Sequence, residues 1–159
     1  MPNKSEVTDA VQRMADFTAL LYYHLTKATI EEYGDGAKKT IKKAIREFGL
    51  ERGRNISVKV KAAGEELTID NLDKFYDMPI AVGWGPEPKY DESGRKHSCT
   101  KSCTFADLWI SKNWEEIGQI YCEVDLAIRL GYNPDIIYTP TKNILAGDPC
   151  CESITEYKK

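Results

Sequence analysis

The segment that most constrains the fold runs from residue 113 to residue 134 and reads NWEEIGQIYCEVDLAIRLGYNP. At the angular spacing of a helix, its apolar side chains fall on one side, as a core contact requires. That side carries Ile117, Ile120, Tyr121, Val124, Ala127 and Ile128. About a quarter turn away lies a second stripe, formed by Gly118, Cys122, Asp125 and Arg129. The segment therefore predicts a helix with polar groups at the edge of its buried face.

Two interpretations of this second stripe remain open from periodicity alone. In the first, Asp125 and Arg129 form a local i,i+4 ion pair beside Cys122, which acts as a small apolar residue. In the second, the stripe is one wall of a pocket. Gly118 would then leave room for a ligand, Cys122 would offer a nucleophile, Asp125 a base, and Arg129 a fork for a carboxylate.

The first half of the chain predicts helices. Apolar side chains between residues 7 and 28 recur at helical spacing, and Gly34 is placed to end that helix. The following run, DGAKKTIKKAIREFG, predicts a second helix with Asp35 as N-cap and Gly49 as its end. The next run, RNISVKVKAAG, fits either a strand by alternation or a helix by spacing.

The second half predicts short elements around the segment already described. LTIDNLDKFYDMP predicts a short helix capped by Asp70, and the Gly- and Pro-rich run after it predicts turns with one or two strands. CTFADLWISK predicts another short helix, and Asn113 with Glu116 suggests a capping box. The tail holds two strand-like runs, DIIYTPTKNIL and CCESITEY, joined by the turn AGDP.

Composition bounds the class of protein. A length of 159 residues predicts one compact domain over residues 1–159. The net charge of −3, with mixed signs, argues against nucleic-acid binding. No apolar run is long enough to span a bilayer and the N-terminus lacks a signal-peptide layout, so we expect no membrane association and a cytoplasmic location. The five cysteines are an odd set, which predicts thiols rather than a disulfide framework.

Several rare residue types recur at fixed offsets and carry a family resemblance. CTFADLW, then IGQIYCEVDLAIRLGYNPDI, then LAGDPCCESI resemble the L-2-amino-thiazoline-4-carboxylic acid hydrolase family over roughly residues 45–155. An upstream run, FGLERGRNI, resembles the family's Arg-Gly segment, which continues as helix; this favours helix for residues 54–63. Two positions depart from the family pattern: Thr104 replaces a usual proline, and Ser153 lies where an aromatic residue is common.

The resemblance implies a fold, a reaction and a set of site residues. The fold is α+β, with N-terminal helices packed against a small, mostly antiparallel sheet and a long helix at 114–130 lining the pocket. The implied reaction is the hydrolytic opening of a cyclic amidine, as in 2-amino-thiazoline-4-carboxylate to N-carbamoyl-cysteine. The catalytic candidates are Cys103, as first choice of nucleophile near a helix N-terminus, Cys122 as second choice, and Asp125 as base. The substrate-binding candidates are Gly118, Tyr121, Arg129, Asn133, Asp148 and Cys151.

Other function classes stay open as alternatives. The run HSCTKSC, with Cys122 and the Cys150–Cys151 pair, suggests a Cys/His metal site, although its spacing matches no common structural site. The order of helices, small sheet and late cysteine also resembles noncatalytic sensor domains of the 4-vinyl reductase type, which bind small molecules. In the hydrolase interpretation we expect a small-molecule substrate and no cofactor. The apolar Leu20–Tyr23 cluster suggests a homodimer.

Overall fold

The computed structural model describes residues 4–79 and 88–159, with side chains from residue 8 onward. In chain order, the elements are α1 (Lys4–Tyr33), α2 (Ala37–Ala62), α3 (Ile69–Lys74), β1 (Lys89–Tyr90), β2 (Lys96–Thr100), α4 (Thr104–Ser111), α5 (Glu115–Cys122), α6 (Val124–Tyr132), β3 (Ile136–Lys142), a 3-10 turn (Ile144–Ala146) and β4 (Cys151–Tyr157). The α+β prediction is confirmed. The predicted turns at residues 80–87 lie outside the described residues.

The described strands form one antiparallel sheet in the order β1-β2-β4-β3. Strand β4 lies between β2 and β3, pairing His97 with Ile154 on one side and Thr139 with Ile154 on the other. The two tail strands predicted from the sequence are confirmed, and the turn between them contains the 3-10 turn. The register shifts between Pro140 and Lys142, where proline cannot donate to the ladder.

Helix α2 differs from the prediction, because it is continuous through Gly49 and includes residues 54–62. The favoured helix at 54–63 is thus confirmed, but the predicted end at Gly49 is wrong. A Cβ at Gly49 would lie 2.6 Å from the Ala127 Cβ, and one at Gly53 would lie 2.1 Å from the Ile128 carbonyl oxygen. Both glycines therefore allow α2 to pack closely against α6 rather than ending the helix.

The segment 113–134 also differs, because it forms two helices and not one long helix. The Glu123 amide donates to the Ile120 carbonyl, three residues back, at 3.3 Å, which is the tighter 3-10 pattern. Residue Glu123 separates α5 from α6. The pocket wall predicted for one helix is consequently shared by the end of α5 and the start of α6.

Three predicted helix caps are wrong. Asp35 pairs with Lys38 at 3.1 Å while Gly36 precedes α2. Thr68, not Asp70, caps α3 by accepting from the Asn71 amide. Asn113 has a φ of 54°, and Trp114 precedes α5 without a side-chain cap, so no capping box forms.

The core lies where α1, α2 and α4–α6 meet and continues to the sheet. Trp109, Ile56, Val60, Leu72, Ile128 and Tyr132 are its largest fully buried side chains. The Trp109 indole donates to the Ala19 carbonyl at 3.0 Å, and the Tyr22 hydroxyl donates to the Ile117 carbonyl at 2.8 Å. These bonds satisfy polar atoms inside the aromatic cluster and hold α1 against α4 and α5.

Candidate active site

A cavity of about 870 Å³ lies between the sheet and helices α2, α3, α5 and α6. Its volume is within the range typical of small-molecule sites. Six of the residues predicted from the sequence line it: Cys103, Tyr121, Cys122, Asp125, Arg129 and Cys151. Residues more than 20 positions apart therefore meet at one surface, as the pocket interpretation of the polar stripe requires.

Three cysteines reach the cavity from three different elements. Cys103 is the residue directly before α4, Cys122 is the last residue of α5, and Cys151 begins β4. Cys103 and Cys151 are near enough to Cys122 that their charged forms would raise its pKa. All three thiols thus belong to one cluster, and the position predicted for Cys103 at a helix N-terminus is confirmed.

The Cys122 thiol is strongly held in its neutral form. Burial raises its pKa to about 12, and the nearby Asp125 charge adds to that effect. A hydrogen bond with the Asn143 side chain acts in the opposite direction but is outweighed. Cys122 is therefore protonated near neutral pH and a poor nucleophile.

Cys151 lies beside the turn that precedes its strand. Its sulfur accepts from the Ile144 amide at 3.4 Å and lies 4.0 Å from the Asn143 Oδ1. Burial raises its pKa, although the Ile144 amide partly offsets this. Asn143 consequently links Cys122 to Cys151, a connection that no sequence pattern indicated.

Arg129 is held in place without using all of its donors. Its Nη1 donates to the Asp125 carbonyl at 2.8 Å and to the Asp125 carboxylate at 3.1 Å. Its guanidinium carbon lies 4.2 Å from the Tyr138 ring centroid. The Nε is buried and has no hydrogen-bond partner within the described chain. Since buried charged donors are normally paired, this nitrogen is a free position for an anionic group.

Asp125 supplies the negative charge that the cavity side chains share. Burial is the main cause that raises the pKa of Tyr138 to about 12, and the Asp125 charge is the next largest cause. The same two causes, in the same order, raise the pKa of Tyr76. The local i,i+4 pair with Arg129 exists, as the first interpretation of the stripe proposed, and the same pair lines the cavity.

A second ion pair borders the cavity and was not predicted. Arg52 donates to both Asp77 carboxylate oxygens, at 2.8 and 2.6 Å. The guanidinium lies between two rings, 5.3 Å from Phe48 and 5.5 Å from Tyr76. Such a bidentate, stacked geometry depends on arginine. In the sequence Arg52 is one of several basic residues on α2, and nothing local distinguishes it.

Further polar side chains line the cavity. Buried Lys96 pairs with Asp73, and the Tyr90 hydroxyl bonds with Asp70. These four residues belong to the cavity lining, so polar groups on α3, β1 and β2 face it as well.

Three predicted binding residues lie elsewhere. A Cβ at Gly118 would meet Trp109 at 2.6 Å and Leu145 at 2.9 Å, so this glycine admits core side chains rather than a ligand. The Asn133 amide donates to the Leu67 carbonyl at 2.8 Å. The Asp148 carboxylate accepts from the Asn143 amide at 2.8 Å and shapes the turn that carries Asn143.

The two departures from the family pattern have different contacts. The Thr104 hydroxyl donates to the Gln12 side chain at 3.1 Å and links α4 to α1. Ser153 is buried, lines the cavity and hydrogen-bonds Tyr138. The second departure thus lies directly at the cavity wall.

The metal-binding alternative finds no cluster to support it. Within residues 4–79 and 88–159, no three His, Cys, Asp or Glu side chains are arranged to hold a metal ion. His97 instead contacts the Asp91 carboxylate at 2.9 Å. Across the same residues, no helix is long and apolar enough to cross a bilayer.

A comparison with protein families identifies the family of this chain. A model of the L-2-amino-thiazoline-4-carboxylic acid hydrolase family matches residues 13–154. The chain belongs to this family. The matched region contains the three clustered cysteines, Asp125 and Arg129. No curated protein matches this family member at a significant level.

The fold is also similar to a solved structure. That structure is trafficking protein particle complex subunit 3 from Naegleria fowleri, covalently bound to palmitic acid. The TM-score is 0.59, with 12% sequence identity, and the match covers 91% of this hydrolase-family chain and 95% of the other chain. At this identity the similarity concerns the fold.

Proposed function

We propose that this protein is a hydrolase that opens a small cyclic amidine of the 2-amino-thiazoline-4-carboxylate type. The observation that carries the proposal is the convergence of Cys103, Cys122 and Cys151 with Arg129 and Asp125 at one cavity. Membership of the hydrolase family supports the reaction class. The reaction needs a nucleophile, a proton donor for the leaving sulfur and an anchor for the carboxylate, and the cavity offers a candidate for each.

Arg129 is the proposed anchor for the substrate carboxylate. Its buried Nε has no partner in the described chain, while Asp125 and Tyr138 fix the guanidinium from other directions. A pre-positioned guanidinium binds a carboxylate through charge-assisted hydrogen bonds and loses little side-chain entropy in doing so. This anchor would place the ring at the cysteine cluster.

Cys103 is the proposed nucleophile. Its position before the first turn of α4 favours the thiolate through the exposed backbone amides. Its sulfur would attack the carbon between the ring nitrogen and the ring sulfur, and the ring C–S bond would then break. The product is an isothiourea on Cys103, and the ring sulfur leaves as a thiolate, to which the neutral Cys122 thiol donates a hydrogen bond.

Water completes the reaction. It adds to the isothiourea carbon, and one of its protons passes to the amidine nitrogen while the other passes to Asp125. The Cys103 thiolate is expelled as the urea forms, and Asp125 then gives its proton to the sulfur that left the ring, which completes N-carbamoyl-cysteine. One water molecule is consumed, one C–S bond of the substrate is broken, and both water protons are accounted for. Asp125 lies one helical turn from Cys122 and fits the role of base.

The test is turnover of 2-amino-thiazoline-4-carboxylate by purified protein, followed as release of a free thiol. We expect Cys103→Ser to lower kcat/KM by at least about a thousandfold and Cys122→Ser to lower it less. Cys150→Ser is the matched control, because Cys150 is buried but does not line the cavity. Equal activity of wild type and Cys103→Ser would refute the assigned nucleophile, and absence of turnover by the wild type would refute the function.

A noncatalytic binding role is the second candidate. The observation that favours it is the raised pKa of both Cys122 and Cys151, which leaves these thiols unreactive near neutral pH. The solved structure with a similar fold, the Naegleria fowleri subunit covalently bound to palmitic acid, is an example of a ligand held in such a fold. In this case a ligand would bind with a measurable Kd and be released chemically unchanged. Mass spectrometry of the ligand recovered after incubation tests whether its mass is the same.

The proposal includes a cytoplasmic location. None of the five cysteines, all within the described residues, forms a disulfide, as expected for a reducing compartment. Blocking thiols at lysis and counting labels by intact mass tests this, because export to an oxidising compartment would leave some thiols already oxidised.

A further inference from the structure

A second cavity, of about 540 Å³, opens beside the first between α1 and α2. We call it the α1 groove. Its lining comprises Ala10, Val11, Met14, Ala15, Thr18, Phe48, Arg52, Asp77, Met78, Pro79, Phe105 and Tyr121. Most of these side chains are apolar, whereas the first cavity is lined by several charged side chains, among them Asp125, Arg129 and Lys96.

The α1 groove adjoins the cysteine cavity. Five residues line both: Arg52, Met78, Pro79, Phe105 and Tyr121. A molecule bound at the cysteines is therefore separated from the α1 groove by no more than these shared side chains.

The polar groups that line the α1 groove already have hydrogen-bond partners. Arg52 and Asp77 satisfy each other through two hydrogen bonds, and the Thr18 hydroxyl donates to the Met14 carbonyl at 2.8 Å. Apolar side chains remain uncovered at its rim, since Met14 is 63% exposed and Phe48 is 45% exposed. Burying such surface is favourable only for an apolar occupant.

The combined space is also too large for the ring alone. The first cavity already has a volume of about 870 Å³, near the upper end of pockets that hold drug-sized ligands. A single small ring bearing an amino group and a carboxylate would leave the α1 groove empty.

We propose that the ligand of this site carries an aliphatic chain that occupies the α1 groove while its polar head lies at Cys103 and Arg129. This inference rests on the proposed function, because it names the substrate class as a chain-bearing cyclic amidine. The aliphatic chain is anchored by Val11, Met14 and Phe48, and Arg52 with Asp77 lies along its path.

The test compares two probes, 2-amino-thiazoline-4-carboxylate and its N-octyl derivative. Affinities are measured by calorimetry in a Cys103→Ser background, which prevents turnover by the proposed nucleophile. We expect the octyl chain to tighten binding at least about tenfold, as burial of several methylene groups implies. Val11→Trp, which fills the α1 groove without touching the first cavity, should remove most of this gain and leave the Kd of the parent ring unchanged.

Leu25→Trp is the matched control, because Leu25 lies on the same helix, is 60% exposed and lines neither cavity. Thermal unfolding verifies that each variant folds. If Val11→Trp does not fold, Met14→Glu places a carboxylate at the exposed rim and should likewise weaken binding of the octyl probe alone.

The results separate the two claims. Equal affinity for both probes overturns the inference. The inference is also overturned if the octyl probe still binds more tightly than the parent ring in Val11→Trp and Met14→Glu. Both outcomes apply even when wild type hydrolyses the parent ring. Tighter binding of the octyl probe, lost in the variants, supports the α1 groove assignment. If wild type then hydrolyses neither probe, the proposed function is overturned and the α1 groove remains a chain-binding site.

Discussion

At the scale of single residues, Arg129 shows what the sequence could and could not predict. Its spacing from Asp125 predicted the ion pair, and its place on the second stripe suggested a pocket. The stack on Tyr138 joins α6 to β3 and depends on how the helix packs on the sheet. Local periodicity contains no information on such contacts, so Tyr138, Asn143 and Arg52 were missed, whereas the family resemblance pointed to Cys103, Cys122 and Cys151, which line the cavity.

The reactivity of Cys122 should respond in opposite directions to two neighbours. Asp125→Asn removes a charge that raises the Cys122 pKa, so alkylation by iodoacetamide at a fixed, mildly alkaline pH should become faster. Asn143→Ala removes a hydrogen bond that lowers this pKa, so alkylation should become slower. Peptide mapping of labelled protein measures both rates. Changes in the same direction for both variants would show that the thiol environment is misassigned.

Replacement of Arg129 by lysine should separate charge from geometry. Lysine keeps the positive charge but loses the fork and the stack on Tyr138. For a carboxylate-bearing substrate we expect KM to rise about tenfold. Tyr138→Phe preserves a ring for stacking and serves as control, with KM within about threefold of wild type. An unchanged KM in Arg129→Lys would exclude Arg129 as the anchor.

At the scale of elements, the helices were predicted well in kind and less well in extent. A glycine at a helix end and a glycine at a helix crossing look alike in sequence, and only the neighbouring helix distinguishes them. Gly49 was therefore predicted as an end, whereas it packs against Ala127 on α6. The break at Glu123 was also missed, because the apolar stripe continues through it without a change of period.

The α2–α6 crossing predicts a large effect for a small substitution. Gly53→Ala would place a Cβ 2.1 Å from the Ile128 carbonyl oxygen and 2.7 Å from the Tyr132 amide nitrogen. These are backbone atoms, so the helices must separate, and we expect the free energy of unfolding to fall by about 3 kcal/mol.

The matched control is Gly36→Ala at the start of the same helix, where a Cβ meets no atom within 4 Å. Its φ of −58° suits alanine, so the free energy of unfolding should change by less than about 1 kcal/mol. Urea unfolding of both variants provides the comparison. Equal stabilities for Gly53→Ala and Gly36→Ala would contradict the close packing of α2 on α6.

At the scale of the whole molecule, many ionisable groups are buried in neutral form around one cavity. Burial raises the pKa of Tyr121 and Tyr138 to about 12 from an ordinary 10.0, and that of Cys122 to about 12 from 9.0. The unfolded chain ionises these groups at lower pH than the folded chain. Their contribution to stability is therefore complete below about pH 9 and is lost as the pH rises towards about 12.

The free energy of unfolding should thus fall steeply above about pH 9. Denaturant unfolding at a series of alkaline pH values measures the slope. In the double variant Tyr121→Phe, Tyr138→Phe two of the groups cannot ionise, so the slope should be shallower. A slope identical to that of wild type would contradict the buried, neutral state of these tyrosines in the folded protein.

The outer face of α1 suggests self-association, which we propose as a homodimer. Phe17, Leu21 and Leu25 follow one another at a spacing of four and are each about half exposed or more. The sequence placed this surface at the Leu20–Tyr23 cluster, but Tyr22 and Tyr23 pack inward against Trp109 and Trp114. We expect light scattering to give the mass of a dimer for wild type and the mass of a monomer for the double variant Leu21→Glu, Leu25→Glu. A monomeric wild type at micromolar concentration would exclude the dimer.

The measurement that tests the central claim most directly is the intact mass of the protein after rapid mixing with 2-amino-thiazoline-4-carboxylate, followed by acid quench and peptide mapping. Ring opening by Cys103 adds the whole substrate, so we predict a species heavier by one substrate molecule, with the added mass on the peptide that contains Cys103. The species should decay as free thiol product appears, and it should be absent in Cys103→Ser. Full turnover with no such species, or with the added mass on a peptide that lacks Cys103, would contradict the account.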